Sequence, residues 1–363
     1  MQRRLSKEIK IGSVPIGGGN PIVIQSMTNT DTCDVEATLK QIADLAKAGC
    51  QVVRVAVLNA EAATALKKIC THSPLPIIAD IHFDYRLAIQ AVENGVAGLR
   101  INPGNIGAKW KVQEVVKAVR EKNIPIRIGV NAGSLEKDLL EKYHGPTAEG
   151  MVESALRHIR ILEDEGYTEI KVSLKASRVP LMLEAYRQIA RLVDYPLHLG
   201  VTEAGTVKSG VVKSAIGIGT LLAEGIGDTI RVSLTGDPLE EIPLAYSILR
   251  VLGLRKGGFE LISCPTCGRT QLDLVKLAEE VEQRLEKLPA PANGITVAVM
   301  GCVVNGPGEA KEADFGIAGG KGKGLLFRKG EVVASLPEKE LLPALMTMIE
   351  TYLQNNSQQI PTS

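Results

Sequence analysis

Residues 170–175 read Ile-Lys-Val-Ser-Leu-Lys, and this hexapeptide decides the fold. Aliphatic Ile170, Val172 and Leu174 alternate with polar Lys171, Ser173 and Lys175, which puts the two sets on opposite faces of a strand. Residues 126–131, Ile-Arg-Ile-Gly-Val-Asn, repeat the pattern. Working outward, strand-like runs also stand at 21–28, 52–57, 77–83, 99–102, 197–202 and 230–235, which makes eight. Between them lie stretches of helical period, such as 35–48 and 151–163. Gly49, Gly95 and Gly166 stand where helices would end, and Asp237-Pro238 reads as the N-cap and first residue of the last helix. Strands alternating with helices predict a parallel sheet, and eight repeats predict a closed (β/α)8 TIM barrel. Residues 1–254 supply the roughly 250 residues such a barrel takes.

Residues 255–258 form a charged, Gly-rich joint, after which the pattern changes. A strand at 259–263 precedes a helix at 270–288, with Thr270 as N-cap and Asp273 three residues on. Another strand follows at 295–300, then a hairpin of 325–328 and 331–335 around Lys329-Gly330. A closing helix spans 338–353. Residues 259–353 thus read as a small α+β domain, and 354–363 as a polar tail.

Composition narrows the function. The chain has 363 residues, with 42 Lys plus Arg against 41 Asp plus Glu, so it lacks the basic excess of a general nucleic-acid binder. Aromatics at 3% argue against a platform for stacking single-stranded bases. No apolar run approaches the roughly 18 residues of a membrane helix, and the N-terminus MQRRLSKEIK lacks the apolar core of a secretory signal. Six cysteines in a chain of this length do not make a disulfide scaffold, so a reducing cytoplasm is the expected setting.

The alternation also says what fills the barrel. If the aliphatic parity faces the helices, the inward set is Arg54, Asp80, His82, Arg100, Asn102, Arg127, Asn131, Lys171, Ser173, Lys175, His198, Thr202, Arg231, Ser233 and Thr235. An ordinary barrel fills this space with branched aliphatics. Four arginines and two lysines aimed at one axis repel each other unless an anion joins them. Internal ion pairs to Asp80 and Glu203 are one reading, but inward acids are few. The other is a site for a ligand with two phosphates at the C-terminal mouth, gripped by the planar forks of arginine. Glu203, just after the seventh strand, is the stronger candidate for acid–base work. Asp80 and His82 are weaker ones, since Asp80 would serve equally to orient His82, and His82 and His198 read equally as structural.

The late domain carries Cys264-Pro-Thr-Cys267 and then Cys302-Val-Val-Asn-Gly-Pro-Gly-Glu309. Each cysteine loop leaves a strand, so both reach one edge of a sheet. Zinc would want a second Cys pair or added histidines, and no histidine follows His198. A dithiol pair would leave Cys302 idle. An iron–sulfur cluster takes three thiolates, with Glu309 as a hard, replaceable fourth ligand. Cys33, Cys50 and Cys70 are scattered and read as inert thiols.

At these motifs the chain resembles the family of 4-hydroxy-3-methylbut-2-enyl diphosphate synthases of the non-mevalonate isoprenoid pathway, in its short bacterial form. The resemblance rests on PIVIQSMTNTDT (21–32), ADIHFDYRLA (79–88), LRINPGNIG (99–107), IGVNAGSLE (128–136), LHLGVTEAG (197–205), ISCPTCGRTQ (262–271) and VMGCVVNGPGEA (299–310). It implies a barrel followed by an iron–sulfur domain. It implies two-electron reductive opening and dehydration of 2-C-methyl-D-erythritol 2,4-cyclodiphosphate, with flavodoxin or ferredoxin as electron donor. It implies a [4Fe-4S] cluster on Cys264, Cys267, Cys302 and Glu309, and acid–base work at Glu203. It implies diphosphate contacts from Arg54, Arg100, Arg127, Lys171 and Arg231, and a head-to-tail homodimer; the lumen reading itself adds Asn102, Asn131, Ser173, Ser233 and Thr235 as neutral hydrogen-bond partners. Two other readings stay open: a pterin-type barrel synthase with a structural metal domain, and a non-catalytic metal module sensing an anionic metabolite.

Overall fold

The computed structural model describes residues 2–302 and 311–357. Chain contacts divide the protein into two units, Met1–Arg255 and Lys256–Ser363.

The first unit opens with an antiparallel hairpin, β1 (Ile9–Ile11) and β2 (Val14–Ile16). Eight parallel strands follow: β3 (Val23–Met27), β4 (Val52–Ala56), β5 (Ile77–Asp80), β6 (Gly98–Ile101), β7 (Ile126–Asn131), β8 (Ile170–Lys175), β9 (His198–Leu199) and β10 (Thr229–Ile230). Each of β3 to β8 pairs with the next, β10 lies between β9 and β3, and a parallel bridge from Val172 to Leu197 closes the ring. The TIM barrel read from the alternation is therefore present. Its helices are α1 (Val35–Lys47), α2 (Ala60–His72), α3 (Tyr85–Glu93), α4 (Pro103–Ile106), α5 (Lys109–Lys122), α6 (Lys137–Lys142), α7 (Ala148–Asp164), α8 (Val179–Leu192), α9 (Val207–Ala223) and α10 (Glu241–Val251). Their starts are set by side-chain caps: Asp34, Asn59 and Thr147 accept from the amides of Ala37, Ala62 and Gly150. Gly49, Gly95 and Gly166 end helices at positive φ.

The aliphatic parity does face the helices. Val53, Val55, Ile126, Ile128, Val130, Ile170, Val172, Leu174, Leu197 and Leu199 belong to one buried cluster with Ile42, Leu66, Val115, Ile159, Ile189 and Leu221. Burying each such side chain contributes about 1.5 to 3 kcal/mol, so a register slip of one residue is strongly disfavoured. The hairpin is an addition to the sequence reading. Ile9, Ile11 and Ile16 pack on Val23, Val52 and Ile78, the first inward residues of β3, β4 and β5, and so stopper the N-terminal end of the barrel.

The second unit is a five-stranded mixed sheet in the order β11 (Phe259–Ser263), β12 (Ile295–Met300), β13 (Phe315–Ala318), β14 (Lys323–Arg328), β15 (Glu331–Pro337). The first three strands are parallel and the last pairings antiparallel. Helices α11 (Leu274–Leu285) and α12 (Glu338–Ser357) share an apolar core with the sheet through Leu274, Val281, Leu285, Leu341, Leu345 and Ile349. Three sequence expectations are corrected here. The cap of α11 is Asp273, which accepts from the Lys276 amide, while Thr270 belongs to the preceding turn. Strand β13 went unread because Phe-Gly-Ile-Ala offers only four residues and one of them is glycine. Helix α12 runs on to Ser357, so 354–357 are helical rather than tail. The turn at Lys329-Gly330 has φ of 49° and 77°, the conformation a two-residue hairpin loop demands.

Candidate functional site

Strand register explains how the charged residues meet. Asp80 is aligned with Arg100, Arg100 with Arg127, and Arg127 with Lys171, a continuous row across β5, β6, β7 and β8. Asp80 is its hub. Its carboxylate lies 3.6 Å from Arg54 Nε, 3.3 Å from Arg100 Nη1 and 3.7 Å from His82 Nε2. Burial alone would raise the Asp80 carboxyl; Arg54, His82, Arg100 and Arg127 outweigh it and hold it far below the carboxylate range. Arg100 Nη1 also lies 3.2 Å from His82 Nδ1, and its Nη2 donates to the Gly129 carbonyl at 3.1 Å. Asn102 Oδ1 accepts from the Gly129 amide at 3.0 Å, so β6 and β7 are laced together by inward side chains. Gly129 is required there, because a Cβ would fall 2.6 Å from Arg100 Nε. Arg127 Nη1 donates to Ser173 Oγ at 2.9 Å.

The other side of the lumen was only half legible. Arg231 forms an ion pair at 3.5 Å with Glu241, the first residue of α10, which reaches back over the strand ends. Glu241 was missed as a lumen residue because an acid in a first helical turn reads as an ordinary exposed dipole partner. Met27 lies between two arginines: its Sδ is 3.2 Å from Arg54 Nε and 3.7 Å from Arg231 Nη1.

Six cations thus share the lumen with two carboxylates, Asp80 and Glu241. Lys171 is 1% exposed and its Nζ has no hydrogen-bond partner among the described residues, nor do Arg127 Nε and His198 Nε2. Burial, reinforced by neighbouring arginines, lowers the Lys171, Lys175 and Arg127 affinities for protons well below normal. Arg54 is pulled by burial down to about 10, with Asp80 opposing and Arg231 and Arg100 adding to the drop. His198 is fully buried, hydrogen-bonded at 2.7 Å to Thr229 Oγ1, and pushed toward its neutral form by burial and then by Lys175 and Arg127. Arginines without enough counter-charge and a buried lysine without a partner are an anion receptor's signature.

Asn131 and Ser233 stand half-buried at the C-terminal ends of β7 and beyond β10. Glu203 stands in the loop after β9, exposed, at φ 51°, with no hydrogen bond or ion pair to any described residue. It does not pair with Arg231, whose partner is Glu241.

In the second unit, Cys264 follows β11 and Cys302 follows β12, adjacent parallel strands, so both loops leave one end of the sheet. The Gly301 amide donates to Cys264 Sγ at 3.2 Å, the kind of contact that stabilises a thiolate ligand. Cys267 is exposed on the intervening loop, where the Cys267 amide donates to Thr270 Oγ1 at 3.1 Å. Its thiol is lowered by the Arg269 amide and side chain, while helix α11 begins only at Leu274. Glu309 lies outside the described residues. Thiolates are the donors a soft metal cluster takes, and Cys264 and Cys302 leave the ends of neighbouring strands with Cys267 on the loop between, but among the described residues no three metal-ligating side chains are gathered into one group. The other cysteines differ: burial raises Cys50 to about 11 and Cys70 to about 12, while Cys33 sits singly in an exposed loop. All six thiols are free. No helix among the described residues is long and apolar enough to cross a membrane.

Comparison with known proteins joins the two units. The GcpE TIM-barrel domain matches residues 6–246, and the GcpE protein C-terminal domain matches residues 260–351. The chain is 61% identical over 348 residues to the 4-hydroxy-3-methylbut-2-en-1-yl diphosphate synthase (flavodoxin) of Geobacter sulfurreducens, across 96% of this chain and 98% of that protein. It is 60% identical over 351 residues to the protein so named from Clostridium perfringens, across 97% and 100%. Among solved structures, Yersinia pestis dihydropteroate synthase aligns with a TM-score of 0.50 at 10% identity, over 68% of this chain and 98% of that one, which speaks for the barrel fold alone. With both domains matched in order and relatives this similar along nearly the whole length, the chain belongs to the GcpE family.

Proposed function

We propose that this chain is an isoprenoid-pathway oxidoreductase, a 4-hydroxy-3-methylbut-2-enyl diphosphate synthase that opens and dehydrates 2-C-methyl-D-erythritol 2,4-cyclodiphosphate with two electrons. The observation that carries the reading is the excess of buried cations over carboxylates in the barrel, together with relatives of that name at 61% and 60% identity. Arg54, Arg100, Arg127, Lys171 and Arg231 hold the cyclic diphosphate bridge, and Asn102, Asn131, Ser173 and Ser233 add neutral hydrogen bonds. Asp80 keeps Arg54 and Arg100 in place; a carboxyl held so firmly ionised is a poor proton donor, so its part is electrostatic. His82 is carried on the same hub, and Glu203 delivers the proton to the departing hydroxyl. Cys264, Cys267 and Cys302, with Glu309, hold a [4Fe-4S] cluster, which supplies electrons singly when bound. The donor is flavodoxin, after the names of the relatives. The setting is cytoplasmic.

Anaerobic purification tests the cofactor. A brown protein with about four irons per chain is expected, and a Cys302→Ala chain should be colourless and inactive with a chemical reductant. A colourless zinc protein would overturn the reading.

The assembly we propose is a head-to-tail homodimer in which each active site uses one chain's barrel and its partner's cluster domain. Arg127→Ala and Cys302→Ala chains, each inactive alone, should regain activity when mixed and allowed to exchange subunits. Mixtures that stay inactive despite exchange sink the sharing.

A further inference from the structure

Glu241 is the one buried carboxylate of the lumen that the proposed reaction leaves without a task. It is 3% exposed, and three elements converge on it. From β3, Ser26 Oγ donates to Oε2 at 3.3 Å. From the segment after β10, the Leu234 amide donates to Oε1 at 3.1 Å. From just beyond β10 itself, Arg231 Nε lies 3.5 Å from Oε2. With both oxygens engaged by rigid neighbours, the carboxyl is fixed in space and faces one guanidinium; burial pushes it above the usual carboxylate range, and Arg231 is the first of the groups that oppose the rise. Arg231 needs that anchor. Its other near neighbour is the Met27 thioether, a weak acceptor at 3.7 Å that it shares with Arg54. Two guanidinium groups separated by a sulfur repel each other, and among the described residues Glu241 is the carboxylate paired with Arg231 against the push from Arg54.

We infer that Glu241 is a positioning residue, which sets the Arg231 guanidinium, and the adjoining 233–235 segment, in the geometry that receives the diphosphate of the substrate. It touches no reacting atom. The division of labour mirrors the opposite wall, where Asp80 holds Arg54 and Arg100. A carboxylate placed outside the ligand's reach costs little repulsion against phosphate, yet keeps a cation ordered before binding, which lowers the entropic cost of binding. The inference rests on the assignment of Arg231 as a substrate contact.

A double-mutant cycle on the full-length chain tests it, with calorimetric affinity for the cyclic diphosphate as the readout. Glu241→Gln keeps the shape and the hydrogen bond from the Leu234 amide, reverses the one with Ser26 Oγ, and removes the charge. It should weaken binding about tenfold in the Arg231 background and not at all in an Arg231→Ala background, because coupled residues are non-additive. In steady-state assays the loss should fall on KM, with kcat at saturation within about threefold, as expected for lost binding that ground state and transition state share. An equal loss in both backgrounds, or no loss in either, overturns the positioning role while leaving Arg231 as a contact. Unchanged affinity in Arg231→Ala alone overturns the contact itself and this inference with it. Should Glu241→Gln fail to fold by its melting curve, Glu241→Asp, which keeps the charge on a shorter arm, carries the same cycle.

Discussion

Glu203→Gln is expected to slow turnover of the cyclic diphosphate by about 10²- to 10⁴-fold, the usual worth of a positioned acid–base group. Affinity for the substrate and iron content should stay as in the parent chain. The reasoning starts from the backbone. Glu203 sits at φ 51°, a conformation that costs a non-glycine residue on the order of 1 to 3 kcal/mol and persists where the surroundings impose it. The neighbouring Gly205, also at positive φ, completes a tight turn at the end of β9. The turn delivers a carboxyl to the barrel mouth without tying it to any cation, although six cations lie in the same lumen. A group left free in so cationic a place can shuttle a proton; one locked in an ion pair, like Asp80, cannot. Glutamine preserves the turn and removes the proton. Single-turnover kinetics and titration of the cyclic diphosphate measure the two halves separately. A variant that turns over normally removes Glu203 from the chemistry.

The second large effect concerns stability. Asp80→Asn should destabilise the barrel by about 3 to 5 kcal/mol, the cost of removing one partner from a buried ion-pair network. The carboxylate faces Arg54 at 3.6 Å and Arg100 at 3.3 Å, and is 6% exposed. Its absence leaves Arg54 and Arg100 without an ion-pair partner among the described residues, with Glu241 paired to Arg231 and Asp228 acting on Lys171. The pH dependence follows from the sign of the shift. The folded carboxyl lies below its unfolded value of about 3.9, so its stabilisation is complete above that pH. It fades only as acid titrates the folded group. Denaturant melts of parent and variant should therefore differ by a constant amount from pH 7 down to about pH 4, and converge below it. A bound diphosphate should restore part of the loss, since it adds negative charge to the same cluster. Equal melting curves at pH 7 would mean that solvent, rather than Asp80, neutralises the arginines.

The sequence carried the barrel because its strands are long enough to show alternation. Ile170–Lys175 and Ile126–Asn131 keep the bounds read from the pattern. At His198–Leu199 and Thr229–Ile230 the ladder is short, yet the inward and outward parities still hold. The hairpin at Ile9–Ile16 was illegible for the opposite reason: three residues per strand show no period, and its value lies in a tertiary contact with Ile78. Asp80 was legible as a counter-charge because it sits on a strand; Glu241 was not, because it comes from a helix and acts across a loop. The cysteine loops could be placed by the strands they leave. Glu309 lies outside the described residues, and the Asn-Gly-Pro-Gly composition before it shows no period from which a place could be read.

The isoleucine stopper at the foot of the barrel has a consequence for traffic. It turns the lumen into a cul-de-sac, with a single doorway where the strands end. Whatever arrives must back out by the way it came, so a spent molecule blocks its successor until it leaves. Water-borne protons are bound by the same architecture: with the floor bricked up by hydrocarbon, they have to be handed in from above.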